Sequence, residues 1–105
     1  MIIYKATKSF PNDEKFGLTN QLRRTAVSIT SNLAEGFSKN SKKDKIKFYY
    51  IALGSLSEVQ NQLLIARDLG YINEKDFNII AEQTILTNKL LNGLIKGARD
   101  KNNSF

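Results

Sequence analysis

The 105-residue sequence contains no cysteine and no histidine. That removes disulfides, zinc clusters and thiol catalysis. It also removes a histidine general base and a Ser-His-Asp triad. A ferritin-like di-iron bundle relies on Glu-x-x-His pairs and is excluded too. One proline and six glycines are too few to punctuate a many-turned β fold, so long helices are favoured. No apolar run approaches the roughly 20 residues that span a bilayer. The opening MIIYKATKSF reaches a lysine too early for a signal peptide. A cytoplasmic protein without metal or other cofactor is expected, with no membrane as partner.

What is present is apolar content of 41% and a marked excess of positive charge. The length suits one domain over 1–105, and the composition is not that of a disordered chain. Sixteen Lys and Arg stand against ten Asp and Glu, for a net charge of +6 and a pI near 9.7. Such an excess favours polyanions, nucleic acid before an anionic membrane surface.

Four helical segments are expected, at about 2–9, 18–38, 42–70 and 74–99. Ile2, Ile3 and Ala6 share one side of the first, which Pro11 and Asn12-Asp13 end. In the second, Leu18, Leu22, Ala26, Ile29, Leu33 and Phe37 recur at three and four positions, with Gly36 suiting its end. Gly17 or Thr19 is the expected cap at its start. Ser41 with Asp44 forms a capping-box variant that opens the third. Two stripes follow: Tyr49, Ala52, Leu56, Val59, Leu63 and Ala66, and beside them Ile46, Tyr50, Leu53 and Leu64. A helix with two seams touches neighbours on two sides, which places it centrally. Asn73 and Asp76 open the fourth, whose apolar face is diluted by Thr84, Thr87 and Asn88. Short connections imply antiparallel neighbours, hence an all-α, up-down-up-down four-helix bundle with a shortened first helix. That first helix cannot cover the length of the others. Its groove calls for more of helix 1 or for a partner subunit. The tail DKNNSF is expected to fray.

The candidate site residues are basic. Arg23 and Arg24 can grip phosphate bidentately. The competing and favoured reading is a structural ion pair, because antiparallel packing sets them opposite Ser55 to Glu58, with Glu58 as partner. Lys39, Lys42, Lys43, Lys45 and Lys47 crowd nine positions with one aspartate among them. They form either a polyanion footprint or a solvated turn. Lysines of this kind give salt-sensitive affinity with little sequence readout. Glu35 and Glu58 are about 20 Å apart by helical rise, too far for paired-carboxylate catalysis, and read as structural. Phe48, Tyr49 and Tyr50 point in three directions, about 100° apart. Base stacking is one use for an outward ring; a subunit interface is favoured. Ala26, Ser28, Thr30, Ser31, Ala34, Ala52, Gly54, Ser55 and Ser57 let helices 2 and 3 approach closely, with Asn32 bonding across to fix register.

The elements QLRR, SNLAEG and ALGSLSE stand in order along FGLTNQLRRTAVSITSNLAEGFSKNSKK and FYYIALGSLSEVQNQLLIARDLGYI. Over about residues 8–98 they resemble the proteins encoded in intervening sequences of bacterial 23S rRNA genes. The same pattern is shared by the accessory variability proteins of diversity-generating retroelements. Thr30 stands where the family pattern has proline, and the chain enters the first helix partway. The resemblance implies an up-down-up-down bundle assembled as a homopentameric ring. It also implies RNA or DNA as partner, a protein partner such as a reverse transcriptase, and no catalysis.

Overall fold

The computed structural model describes residues 2–14 and 17–100. The expected fraying of residues 101–105 lies outside them. The described residues form four α-helices and no strand: α1 Ile2–Thr7, α2 Leu18–Ser38, α3 Lys42–Asp68 and α4 Glu74–Asp100. A single 3-10 turn, Asn12–Glu14, lies between α1 and α2. The all-helical four-helix architecture is as expected, with α1 two residues shorter than its pattern suggests.

α3 is the centre. It packs against both α2 and α4, whereas no α2–α4 pair of described residues brings Cα atoms within 8 Å. The first α3 stripe explains this: Tyr49, Ala52, Leu56, Val59, Leu63 and Ala66 are all buried. The second stripe is only half used. Ile46 and Leu53 pack on the core, but Tyr50 and Leu64 are exposed. At 27 residues, α3 and α4 are each about 40 Å long. α1 has six residues and fills the fourth corner at one end only, with Ile3 and Phe10 buried beside Leu22, Ala26 and Ile80.

Beyond α1 that corner is open. Ile79 lines the pocket beside α1, and Leu86 and Leu90 follow it at seven and eleven positions on the same flank of α4. Phe37 follows the α1-bearing Arg23 at fourteen positions on α2. All three of these further residues are exposed, so the α2 stripe does not keep Phe37 in the core as its spacing suggests.

Helix ends follow their local chemistry. The Ser41 hydroxyl accepts the Asp44 amide at 3.1 Å, and Asn73 Oδ1 accepts that of Asp76 at 2.7 Å. α3 stops in a Schellman turn: Tyr71 N–H donates to Ala66 O and Gly70 N–H to Arg67 O. Gly70 has φ of +76°, which a side chain would strain. Gly17 occupies the cap position of α2 without a side chain to cap it, and the Glu14 carboxylate stands in, accepting Leu18 N–H at 3.5 Å. Thr19 lies inside the helix and is buried. α2 runs unbroken through Thr30, whose hydroxyl donates to Val27 O.

Gly36 lies inside the last turn of α2 rather than ending it. A Cβ there would run into the Tyr49 ring, with Cδ1 at 2.8 Å. Gly54 is the opposite case: a Cβ would meet nothing within 4 Å, so within one chain it is not a close-approach glycine. Gly36→Ala is therefore expected to cost about 1–3 kcal/mol through overpacking. Gly54→Ala should add up to about 1 kcal/mol by helix propensity. Urea unfolding of both variants checks the pair. Burial also raises the Tyr49 phenol above its ordinary pKa of 10.0. The folded state thus holds the neutral phenol after the unfolded chain has begun to ionise. The corresponding stability is full below pH 10 and falls as pH climbs through the folded value. A pH series of unfolding midpoints should show Tyr49→Phe with a shallower alkaline decline than the parent. Tyr71, raised chiefly by its hydrogen bond to Glu14, then by burial and by the Glu14 and Asp13 charges, keeps its own share.

Candidate nucleic-acid interface

The α2–α3 turn and the end of α4 meet at one end of the bundle: the Lys42 ammonium donates to Arg99 O of α4 at 3.1 Å. Lys45 donates to Gly36 O at 3.2 Å, which also accepts Lys39 N–H, and to Phe37 O at 3.1 Å, both in the last turn of α2. Two of the five turn lysines thus cap helix C-termini, where a cation is favoured by the helix dipole. Periodicity marks a lysine-rich turn but says nothing about which helix ends lie within reach.

The other three are differently placed. Lys39 pairs with Glu35 at 3.6 Å, and its ammonium lies 5.3 Å from the centroid of the Phe48 ring. The Lys47 ammonium lies 5.8 Å from the same ring. Lys43 is exposed. The fold adds Lys96 and Arg99 from α4, both exposed, which the sequence reading did not include. Only the packing of α4 on α3 brings them to the turn. The resulting end carries Lys39, Lys42, Lys43, Lys45, Lys47, Lys96 and Arg99 against Glu35, Asp44 and Asp100. Much of the chain's net positive charge therefore collects there.

Arg23 and Arg24 part company. Arg23 Nε donates to Thr7 Oγ1 at 2.8 Å, and its guanidinium sits 4.8 Å from the Tyr4 ring. It fastens α1 to α2 and faces away from Ser55 and Glu58. The expected position opposite α3 holds for Arg24 alone, which lines a shallow pocket of about 290 Å³ with Ser28, Ser55 and Glu58. The anticipated ion pair does not form: Arg24 and Glu58 do not approach within 4.0 Å. Adjacent positions on a helix differ by about 100°, enough to send the two arginines to different neighbours.

The floor of that pocket sets the α2–α3 register. Ser28 and Ser55 hydroxyls share a hydrogen bond of 2.8 Å. Asn32 does not cross to α3; its Nδ2 donates to Ser28 O at 2.8 Å and Ser28 Oγ at 3.1 Å, and so steers the serine that does cross. Of the small residues, Ala26, Ser28, Ala52 and Ser55 lie at the contact, while Thr30, Ser31, Ala34, Gly54 and Ser57 face outward. Glu35 is at the basic end and Glu58 at the Arg24 pocket, so the two carboxylates share no site. Among the described residues no group of acidic side chains is placed to hold a metal ion, and no helix is long and apolar enough to cross a membrane.

Two expectations follow from these contacts. Arg23→Ala should cost about 1–2 kcal/mol, the range for a half-exposed hydrogen bond with a charged donor. It should also speed amide exchange in α1 before any other helix. Lys45→Met should cost about 1 kcal/mol in thermal unfolding through the lost C-cap, and Lys43→Met close to nothing.

Comparison with known proteins agrees with this architecture. The profile of the family described as 23S rRNA-intervening sequence protein matches residues 1–93. A similar fold occurs in the crystal structure of a protein of unknown function from the S23 ribosomal protein family of Bacteroides thetaiotaomicron. That structure matches with a TM-score of 0.78 at 28% identity, over 89% of this chain and 84% of that one. No curated protein matches the sequence.

Proposed function

The chain belongs to the 23S rRNA-intervening sequence protein family, and from that premise we propose that it is a non-enzymatic, oligomeric helical-bundle protein that holds RNA or DNA by charge. The observation that carries the proposal is the basic end. Lys43, Lys47 and Lys96 are exposed there, with Lys39 and Arg99 alongside. Exposed ammoniums in a cluster neutralise phosphates and release counterions, which gives affinity without base readout. Lys42 and Lys45 hold helix ends and contribute background charge more than direct contacts. Repeating the cluster around a ring of subunits would multiply its affinity by avidity. The family resemblance suggests five copies.

Assembly is supported by the open corner of the bundle. Phe37, Leu86 and Leu90 are each more than half exposed there, and exposed apolar surface of this kind is costly for a lone chain. The same surface also favours a second reading, an interaction scaffold whose partner is another protein, a reverse transcriptase being the example the resemblance offers.

Fluorescence polarisation with labelled RNA and DNA, titrated with salt, tests the leading proposal. Binding should weaken steadily as salt rises. Reversing Lys43, Lys47 and Lys96 to glutamate together should abolish it at moderate salt. Single Lys→Met changes should each lower the slope against log salt by about one. Arg24→Glu, away from this end, should leave binding unchanged. Absence of binding at low salt by a correctly folded protein overturns the proposal and favours the scaffold.

A further inference from the structure

The three consecutive aromatics at the start of α3 have three different environments. Tyr49 is in the core against Gly36. Tyr50 is 53% exposed. Phe48 is half-buried, yet it is absent from both core clusters and from the side chains packed on them. Two ammonium groups lie over its ring, that of Lys39 at 5.3 Å and that of Lys47 at 5.8 Å from the centroid.

Other rings meet cations elsewhere in the chain, but in other settings. Phe77, beneath Arg67, packs on the core. Tyr4, beneath Arg23, belongs to the fastening of α1. Phe48 alone among these combines two cations, no core role and a place at the basic end.

An apolar ring flanked by two ammoniums, that of Lys39 also paired with Glu35 and that of the exposed Lys47, matches the two faces of a nucleotide. The ammoniums lie over the ring; when they swing off it to meet phosphates, the face they leave is a surface on which a base can stack. A duplex cannot use the ring, because its base faces are already stacked inside the helix. It can use only the charge. We propose that the preferred ligand of the basic end is unpaired nucleic acid, with Phe48 as the stacking surface for one base. This rests on the nucleic-acid reading above and narrows it. Base faces and phosphates are common to RNA and DNA, so the two should behave alike at this position.

The test uses single-stranded RNA, single-stranded DNA and a duplex, all of one length, at one salt concentration. The chain has no tryptophan, so Phe48→Trp places one indole signal at the proposed contact. Its emission should be quenched by both single strands and much less by the duplex. Phe48→Leu keeps the apolar volume but removes the ring. It should weaken single-strand binding roughly tenfold, within the range of lost base–aromatic stacking, and leave duplex binding within about twofold. Equal binding of single strand and duplex, with no quenching and no selective loss in Phe48→Leu, overturns the stacking proposal while charge-driven binding stands. A Phe48→Leu variant that alters the oligomer mass and not strand preference also overturns it, assigning the ring to a subunit interface. Absence of binding to any of the three removes both proposals together.

Discussion

The close approach of α2 to α3 is the constraint on which the rest of the structure depends. It is set where Gly36 leaves room for the Tyr49 ring and where Ser28 meets Ser55. A methyl group at the first contact would push the helices apart, and an unmatched hydroxyl at the second would be left half-buried without a partner. With both in place, the α3 stripe from Tyr49 to Ala66 is covered, and α4 closes over its other side. Gln60 then donates to the Thr84 hydroxyl at 3.1 Å, which in turn donates to Ala81 O. Of the polar residues that dilute the α4 face, the buried Thr84 is thus satisfied inside the interface.

The same antiparallel packing determines the electrostatics. It brings the C-termini of α2 and α4 to one end, where unpaired carbonyls and the helix dipoles favour cations. Lys45 and Lys42 answer that demand directly. Charge beyond it, on Lys43, Lys47 and Lys96, has no structural partner of this kind. The basic end is therefore partly architecture and partly surplus, and the surplus is what a polyanion can use. Treating the five turn lysines as equivalent hides that division.

Much was legible from residue order. Three- and four-residue spacing marked the long helices, and Ser41-Asp44 and Asn73-Asp76 marked the starts of two of them, because capping is a local affair of a few bonds. The buried α3 stripe could be read residue by residue for the same reason: a helix with a continuous apolar seam must cover it. Spacing misjudged Phe37, Tyr50 and Leu64. Each has the right period for a seam, but burial depends on whether a neighbouring helix extends that far. α1 stops after two turns, and no described Cα of α2 comes within 8 Å of one of α4.

Composition and periodicity alone decide that this chain is helical, basic and unable to use cysteine or histidine chemistry, since those properties follow from side-chain identity and backbone geometry. Partnership between distant residues is decided in three dimensions. Adjacent arginines diverge to α1 and to the Arg24 pocket; Lys42 finds a carbonyl 57 positions along the chain; Lys96 and Arg99 join a turn they do not border in sequence. Hydrogen bonds and ion contacts act over a few ångströms, and only the folded arrangement of helices determines which groups come that close.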